Sequence, residues 1–360
     1  MEKAIVVGIK FKNEKTPLNE SLEELKQLTS TSGAQTLGVL TQNREKPDNK
    51  YYIGQGKLEE LRDLCAATNA DLVIFDHEIS PSQIRNLEDF LGIKVIDRTE
   101  LILDIFAQHA HSREGVLQVE LAQSEFQLTR LTGHGVSLSR LGGGIGTRGP
   151  GETKLEVDRR RIRRKISELK KELEAVKKNR HLLREKRKSS NVLTGAIVGY
   201  TNSGKSTLLN SLARANVLAE DKLFATLDPV TKRVYLPNGK IILLTDTVGF
   251  IQKLPTQLID AFRATLEEVI EADFLIHVVD SSSKYMEDQI ESVYKILEEI
   301  GAITKPMLTV FNKIDKEKPP KNIIKKFNPS VCISALYKTG FDALAKALLK
   351  LPSQPAQAET

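Results

Sequence analysis

Apolar residues recur at two different spacings along the chain, and each spacing predicts its own kind of element. In residues 1–100, short aliphatic and β-branched runs predict four strands, at Ala4–Lys10, Thr36–Thr41, Leu72–Phe75 and Lys94–Ile96. Apolar positions at helical spacing predict three helices between them, at Ser21–Thr29, Lys57–Ala67 and Ser82–Leu91. This alternation predicts a small parallel sheet with right-handed crossovers. Two helix starts also carry signals: Ser21 with Glu24 fits a Ser-x-x-Glu capping box, and Ser80-Pro81 opens the third helix.

Residues 101–190 change to a purely helical spacing. Positions that step by four and three form two seams, Leu117, Leu121, Ser124, Leu128 and Leu131, then Ile162, Ile166, Leu169, Leu173, Val176, Arg180 and Leu183. Two such seams predict an antiparallel helical hairpin, a coiled-coil arm. Its second helix, Asp158–Lys188, would be about 45 Å long at 1.5 Å per residue.

Between the two helices, Thr132–Val157 has no clear regular pattern. The stretch Gly133–Gly151 holds eight of the chain's 22 glycines. A loop of this length in a compact domain is usually functional or disordered. A plain flexible tether is the alternative, but a tether between adjacent helices can be far shorter, and this loop ends in basic residues.

Beyond Ser189-Ser190-Asn191, strands and helices alternate again and predict a doubly wound α/β domain over residues 191–351. The predicted strands are Leu193–Val198, Val230–Leu236, Ile241–Leu244, Phe274–Asp280, Met307–Phe311 and Ser330–Ile333. The predicted helices are Lys205–Ala213, Gln257–Glu271, Asp288–Ile300 and Asp342–Leu349. The tail, residues 352–360, has two prolines and no apolar pattern, which is typical of disorder.

Composition limits the class of protein and its compartment. A chain of 360 residues can form two domains with separate cores, and 40% apolar with 28% charged residues is typical of globular proteins. No apolar run reaches the roughly 18 residues that a membrane span needs, and Met1-Glu2-Lys3-Ala4 lacks a signal-peptide pattern. Cys65 and Cys332 are interpreted as separate thiols in a reducing cytosol. We expect a cytoplasmic protein without stable membrane insertion, with peripheral membrane attachment left open.

Positive charge is concentrated in one stretch. Residues 148–188 hold 17 Lys and Arg against 7 Asp and Glu, a net charge of +10, whereas the whole chain carries +6. A basic stripe on an otherwise acidic chain indicates a polyanionic partner. The solvated face of a coiled coil is the other interpretation.

The strongest motif follows the first strand of the second domain. Gly199-Tyr200-Thr201-Asn202-Ser203-Gly204-Lys205-Ser206 stands between a predicted strand and a predicted helix. Two glycines, a lysine and a hydroxyl residue at this spacing are typical of a phosphate-binding loop, in which backbone N–H groups and a helix N-terminus hold the phosphates. Lys205 is expected to contact the β- and γ-phosphates as a catalytic residue, and Ser206 to coordinate Mg²⁺. Thr207 is included among the predicted nucleotide-binding residues.

Two further segments are predicted to sense the γ-phosphate. Asp246-Thr247-Val248-Gly249 follows a strand, so that Asp246 can hold Mg²⁺ through a water and the Gly249 N–H can bond the γ-phosphate. The second segment is Phe224-Ala225-Thr226-Leu227-Asp228, which is expected to close over the metal. Thr226 is the predicted metal ligand in that loop, and Thr226 and Gly249 join Lys205 as predicted catalytic residues.

Two motifs predict that the base is guanine. In Asn312-Lys313-Ile314-Asp315, the Asp315 carboxylate can accept from the ring N–H and the exocyclic NH₂ of guanine, donors that adenine does not offer there. Lys313 would lie over the ring. In Ser334-Ala335-Leu336, the Ala335 N–H would bond the guanine oxygen. The fold class expected from all motifs is therefore a P-loop GTPase sheet, preceded by a small parallel α/β domain with a helical hairpin.

One position departs from the common pattern. Many GTPases place Gln directly after Asp-x-x-Gly to orient the attacking water, and this chain has Phe250 there. Because a phenyl ring cannot orient water by hydrogen bonding, we expect slow intrinsic hydrolysis that a partner stimulates.

With these residues in view, the chain resembles the HflX family of GTPases over nearly its whole length. The resemblance rests on Tyr52-Ile53-Gly54-Gln55-Gly56-Lys57, the Gly142–Lys154 stretch, Arg159-Arg160-Arg161-Ile162, Phe224–Pro229 and Asp246–Phe250. It implies binding to the large ribosomal subunit, with the Gly-rich tip near the peptidyl transferase region, and splitting or rescue of stalled ribosomes under stress. The RNA-binding residues expected on this basis are Arg140, Gly142, Gly143, Gly144, Arg148, Lys154, Arg159, Arg160 and Arg161.

Two other functions stay open from the sequence. The chain could be a regulatory GTPase whose helical arm binds a protein partner. Alternatively, residues 1–190 could have a nucleotide-dependent RNA-remodelling activity of their own. Against the latter, Gly54-Gln55-Gly56-Lys57 lacks the length of a phosphate-binding loop and is interpreted as a turn into a helix. A monomer in solution is expected.

Overall fold

The computed structural model describes residues 1–351 apart from residues 13, 15–16, 133–149, 189–191, 214–222, 225–226 and 254–262. These residues form two compact units. The first unit holds Met1–Gln108 and Val116–Ala175. The second unit holds His109–Gly115 and the chain from Val176 onward, and it is called the GTPase unit because it contains the motifs predicted to bind GTP.

The first unit contains a four-stranded parallel sheet in the order β2-β1-β3-β4. Its strands are β1 Lys3–Phe11, β2 Gln35–Arg44, β3 Leu72–Phe75 and β4 Lys94–Asp97. Its helices in this part of the chain are α1 Leu18–Thr31, α2 Gln55–Thr68, α3 Pro81–Leu91 and α4 Arg98–His109. The four predicted strands and three predicted crossover helices are confirmed, because the apolar runs pack into one core around the sheet.

The helix starts give one confirmed prediction and one wrong prediction. Ser80 caps α3 as predicted, in a capping box with Gln83. The prediction that Ser21 begins α1 is wrong, because this helix begins at Leu18. Leu18 and Leu22 pack so closely over β1 that a Cβ at Gly8 would lie 3.0 and 2.8 Å from their methyl groups. This packing extends the helix by a turn and places Ser21 inside it, where its hydroxyl donates to Asp76 over 2.6 Å.

Two further helices, α5 Arg113–Thr132 and α6 Pro150–Lys188, contribute their residues Val116–Thr132 and Pro150–Ala175 to the first unit. The start of α6 lies beside the end of α5, since Arg159 donates to the Leu131 carbonyl over 3.1 Å. Residues farther along α6 pair with residues earlier in α5, since Lys165 lies 3.3 Å from Glu120 and Lys170 lies 2.8 Å from Glu125. The predicted antiparallel pair of helices is therefore present.

The second of these helices is longer than predicted. The 39 residues of α6 correspond to about 58 Å at 1.5 Å per residue. The expectation of an irregular loop as far as Val157 is wrong for Pro150–Val157, which is helical. Proline suits the first turn, where its missing N–H is not needed. The rest of the predicted loop, residues 133–149, lies outside the described residues.

The GTPase unit contains a six-stranded sheet in the order β10-β9-β8-β5-β7-β6, in which only β6 runs antiparallel to its neighbour. Its strands are β5 Leu193–Gly199, β6 Val230–Tyr235, β7 Ile241–Asp246, β8 Phe274–Asp280, β9 Met307–Asn312 and β10 Ser330–Cys332. Its helices are α7 Lys205–Ala213, α8 Arg263–Glu271, α9 Met286–Glu299, α10 Lys321–Lys326 and α11 Phe341–Lys350. All six predicted strands are confirmed.

Two helices of the GTPase unit differ from the sequence pattern. Residues 257–262 of the helix predicted over Gln257–Glu271 lie outside the described residues, and the described part begins at Arg263. The short helix α10 is not predicted, because six residues are too few to show a helical period. The sheet reverses its strand order on either side of β5, and ligands of such sheets bind at the carboxyl ends of the strands beside that point.

Both cysteines are free thiols, as predicted. Among the described residues, none of the helices combines the length and the apolar character that crossing a membrane requires.

Candidate active site

The predicted phosphate-binding loop lies between the strand β5 and the helix α7. Two glycines shape it. Gly199 has a φ of 151°, and a Cβ there would lie 2.2 Å from the Val278 carbonyl oxygen of the neighbouring strand. Gly204 has a φ of 91°, and a Cβ there would lie 2.3 Å from Asn312 Nδ2. Both positions therefore require glycine, for backbone conformation and for space.

Lys205 begins α7 and points back over the loop. Its side chain is buried, and its Nζ donates to the Tyr200 carbonyl over 2.9 Å. Burial lowers the pKa of Lys205 to about 8, with nearby Asp246 raising it and Lys313 lowering it further. An ammonium held in this way is poorly solvated and gains from an anionic ligand. This environment suits a group that contacts phosphates.

Two oxygen atoms meet beside the lysine. Ser206 Oγ donates to Asp246 Oδ2 over 2.6 Å, which joins the start of α7 to the end of β7. A hydroxyl and a carboxylate are hard oxygen ligands of the kind that Mg²⁺ prefers. The predicted pair Ser206 and Asp246 thus fits a magnesium ion in chemistry and in proximity. Thr226, the third predicted metal ligand, and the adjacent Ala225 lie outside the described residues.

The segment after β7 packs directly on the phosphate-binding loop. A Cβ on Gly249 would lie 2.6 Å from Thr201 Cα and 2.8 Å from Lys205 Nζ. The backbone of the next residue pairs with the loop on both sides, since the Phe250 N–H donates to the Gly199 carbonyl over 3.1 Å and the Thr201 N–H donates to the Phe250 carbonyl over 2.7 Å. Gly249 is therefore fixed next to the lysine expected to hold the γ-phosphate.

Side chains reinforce this pairing. Thr247 Oγ1 donates to the Ile197 carbonyl over 2.7 Å, and the Gln252 N–H donates to Tyr200 Oη over 2.9 Å. Val248 and Phe250 are both buried, so the aromatic ring at the position of the usual Gln belongs to the packing of this segment. Sequence reasoning missed the tyrosine hydroxyl bond, because a position inside a phosphate-binding loop carries no signal for it.

The loop predicted to close over the metal is described in part. The Phe224 N–H donates to Thr201 Oγ1 over 3.1 Å, and the side chains of Phe224 and Leu227 are buried. The Asp228 carboxylate is directed to residues 111–112, where it accepts from the backbone N–H groups of His111 and Ser112 over 3.0 and 2.7 Å. Asp228 therefore anchors the end of this loop.

The predicted guanine-recognition residues come together at the ends of β9 and β10. Asn312 Nδ2 donates to the Ser203 carbonyl over 2.9 Å, and Asn312 Oδ1 accepts from the Ala335 N–H over 2.9 Å. Ser334 Oγ donates to Asp315 Oδ1 over 2.5 Å. These bonds tie both predicted guanine motifs to the phosphate-binding loop. Ile314 follows β9 and is half-buried, whereas Leu336 is exposed.

A residue that the sequence reasoning missed holds Lys313. The Lys313 Nζ lies 2.7 Å from Asp280 Oδ2 and donates to the Asn202 carbonyl over 2.8 Å. The other oxygen, Asp280 Oδ1, accepts from the N–H and the hydroxyl of Ser282 over 3.0 and 2.7 Å. A signal was available, because Asp280 ends a predicted strand next to the strand that ends at Asn312.

The predicted RNA-binding residues are described only in part. Arg140, Gly142, Gly143, Gly144 and Arg148 lie outside the described residues, and so does the Lys154 side chain. Arg159 is half-buried and bonds the Leu131 carbonyl, whereas Arg160 and Arg161 are exposed. Arg161 also borders a cavity of about 710 Å³ between α5 and α6, together with Arg130, Arg164 and Lys165.

Three sequence families match the chain in succession. Residues 19–107 match the family described as GTP-binding GTPase N-terminal, and residues 109–187 match the family described as GTP-binding GTPase Middle Region. Residues 194–313 match the family described as 50S ribosome-binding GTPase.

Individual proteins match over most of the chain. The GTPase HflX of Caldanaerobacter subterraneus subsp. tengcongensis is 52% identical over 349 residues, which are 96% of this chain and 80% of that protein. The GTPase HflX of Escherichia coli is 48% identical over 314 residues, 87% of this chain and 73% of that protein. A solved structure of a GTP-binding protein from Sulfolobus solfataricus in complex with GDP is 28% identical, with a TM-score of 0.52, and covers 98% of this chain and 99% of its own.

Proposed function

Since the chain belongs to the HflX family of GTPases and is a GTP-hydrolysing enzyme, we propose that the large ribosomal subunit is its partner. We further propose that it splits or rescues stalled ribosomes under stress, acts as a monomer and uses Mg²⁺. The observation that carries the ribosome proposal is the surface of α6, where Arg160, Arg161, Arg163, Arg164 and Lys165 are all exposed. Five exposed cations within six residues suit the phosphate backbone of RNA.

The chain's own residues account for nucleotide binding. Lys205 would contact the terminal phosphates, and the backbone of Gly204 and Lys205 at the start of α7 offers N–H groups to them. Ser206 and Asp246 would hold Mg²⁺, which neutralises charge on the β- and γ-phosphates when bound. Asp315, held by Ser334, would accept from guanine, and the stem of Lys313 would cover the ring.

Hydrolysis needs a water in line with the γ-phosphate. The position that commonly supplies a Gln holds the buried Phe250, whose backbone is engaged by Gly199 and Thr201. Slow intrinsic hydrolysis follows, because the phenyl ring has no group to orient water. A partner that repositions the segment around Gly249, or supplies a group of its own, would then stimulate turnover.

The test is GTP turnover with and without purified large ribosomal subunits across a salt series. We expect strong stimulation that declines as the salt concentration rises. Each contact between a basic side chain and an RNA phosphate releases bound counterions, so added salt weakens binding to the subunit. A variant lacking Gly142–Gly151 should hydrolyse GTP at the basal rate without responding to the subunit. Absence of stimulation at every salt concentration would refute the proposal.

A matched pair of variants tests the role of α6. Arg160→Glu with Arg161→Glu should weaken subunit binding strongly, whereas Lys321→Glu with Lys325→Glu, an equal charge change at exposed positions of α10, should have a small effect. An equal loss of subunit affinity in the two double variants would show that binding depends on the overall charge of the protein and not on α6. Binding that resists ribonuclease and depends weakly on salt would favour the regulatory switch with a protein partner. Ribosome splitting is read separately, as loss of assembled ribosomes in a density gradient.

A further inference from the structure

The segment His109–Gly115 runs from the last residue of α4 to the third residue of α5, and it belongs to the GTPase unit. The chain on either side of it, as far as Gln108 and from Val116, belongs to the first unit. The contacts that this segment makes within the GTPase unit therefore include the first residues of α5, Arg113–Gly115.

Three donors of this segment converge on one carboxylate. Asp228 Oδ2 accepts from the backbone N–H groups of His111 and Ser112 over 3.0 and 2.7 Å. Its Oδ1 accepts from the Ser112 hydroxyl. Hydrogen bonds to an ionised acceptor are stronger than neutral ones, so three of them on one group form a firm attachment.

The start of α5 is shaped to receive this carboxylate. Ser112 Oγ accepts from the Gly115 N–H over 2.9 Å, as a capping residue does three positions before the donor. A Cβ on Gly115 would lie 2.3 Å from Asp228 Oδ1 and 3.2 Å from Ser112 Oγ. Glycine at position 115 is thus what leaves room for the Asp228 side chain, independently of the hydrogen bonds.

The same carboxylate ends the loop predicted to sense the nucleotide. The other described end of that loop, Phe224, is bonded through its N–H to Thr201 in the phosphate-binding loop over 3.1 Å. Asp228 lies four positions after Phe224, which is a reach of about 14 Å at most for an extended chain. Because Phe224 and Asp228 are both held by hydrogen bonds and lie so close in sequence, a shift of Phe224 with the phosphate-binding loop is expected to strain the bonds of Asp228.

We propose that Asp228 and Ser112 form a latch that positions the nucleotide-sensing loop, and that exchange of GDP for GTP changes how firmly the latch holds residues 109–115. Asp228 is a positioning residue in this reaction and makes its contacts away from the phosphate-binding loop. The proposal rests on the GTPase activity of the chain and deepens it, because it names the path by which the nucleotide acts on the start of α5. It does not depend on the ribosome.

The test is amide hydrogen exchange in the full chain, bound to GDP or to a non-hydrolysable GTP analogue, without ribosomes. In the unaltered protein, the peptide that covers residues 109–116 should exchange at clearly different rates in the two states. Asp228→Asn keeps the size of the side chain but removes its charge. It should raise exchange in this peptide about tenfold in the state that protects it more, and should abolish the difference between nucleotides.

Three further variants separate a latch from a general loss of structure. Ser112→Ala should behave as Asp228→Asn does, whereas Ser112→Thr keeps the hydroxyl and should restore the nucleotide dependence. Ser292→Ala, which removes a hydroxyl bonded to the Asp288 carbonyl within α9, should leave the peptide unchanged. In steady-state kinetics, Asp228→Asn should change kcat for GTP more than the affinity for GDP.

Two results would overturn the latch. One is equal exchange of residues 109–116 in the two nucleotide states of the unaltered protein. The other is a nucleotide-dependent difference that persists in Asp228→Asn. Neither result bears on stimulation by the large ribosomal subunit, so the latch and the proposed function can fail separately.

Discussion

The ion pair between Asp280 and Lys313 should set the affinity for guanine nucleotides, although Asp280 is not expected to touch the nucleotide. Lys313 Nζ is held at 2.7 Å by Asp280 Oδ2, and both side chains are less than one-fifth exposed. Asp280→Asn removes the charge and keeps the shape. Lys313 would regain rotamer freedom, and a lysine loses up to about 2 kcal/mol of such freedom when it is ordered.

The remaining bond from Lys313 to the Asn202 carbonyl retains part of that order. We therefore expect binding to weaken by about 1–2 kcal/mol, which is roughly a 5- to 30-fold increase in the dissociation constant of GDP. Isothermal titration calorimetry with GDP measures this dissociation constant directly. Asp288→Asn, at an exposed position in the first turn of α9, is the matched control and should bind GDP as the unaltered protein does.

A double-variant cycle shows whether Asp280 acts through the lysine. Lys313→Met should weaken GDP binding by itself, and adding Asp280→Asn to it should cause little further loss. Unchanged GDP affinity in Asp280→Asn would refute the reasoning. The reasoning would also be refuted if Asp280→Asn weakened GDP binding equally in the unaltered protein and in Lys313→Met.

Three other predictions follow from the site and the first unit. The pKa of Lys205 is lowered to about 8 in the folded protein from its ordinary value of 10.5, so the unfolded chain binds more protons between these values. The free energy of unfolding without nucleotide should therefore rise with pH from about 8 to 10, and urea titrations of Lys205→Met should show a weaker rise. Gly204→Ala should abolish GDP binding and lower the free energy of unfolding by about 1–3 kcal/mol, because the φ of this residue is 91° and the added Cβ would meet Asn312. Thermal unfolding with and without GDP measures both effects. A normal GDP-induced rise in melting temperature would contradict this prediction. Ser21→Ala should lower the free energy of unfolding, measured in urea, by about 1–3 kcal/mol, because the buried Asp76 carboxylate loses a hydrogen-bond donor. The control Ser30→Ala, at an exposed position, should have little effect. Equal losses of stability in the two variants would count against a contribution from the buried bond.

Elements with strong local patterns were predictable from the sequence, and so was the arrangement of the residues of the predicted nucleotide site. Gly199, Gly204, Lys205 and Ser206 occur at fixed spacing between a strand and a helix, so local sequence decides their arrangement. The strands of both sheets were found for a similar reason, because their apolar runs are short, buried and bounded by polar turns.

Features set by packing between distant segments were not predictable in the same way. Leu18 lies in α1 because it packs over Gly8, and a local capping pattern at Ser21 could not show this. The Ser112–Asp228 bonds join residues 116 positions apart, and the motif that contains Asp228 gives no local signal for Ser112 as its partner. Asp280 lies between these cases, since its place at a strand end was visible but its partner was not.

The assignment of His109–Gly115 to the GTPase unit has a practical consequence for work with fragments. The natural place to divide the chain by sequence is near residue 190, yet a piece that starts there leaves out residues that structurally belong to it. The Asp228 carboxylate would then face solvent in place of the His111 and Ser112 donors. Rates measured on such a piece would describe an incomplete enzyme, and adding a peptide that spans residues 109–115 would be the first thing to try in restoring it.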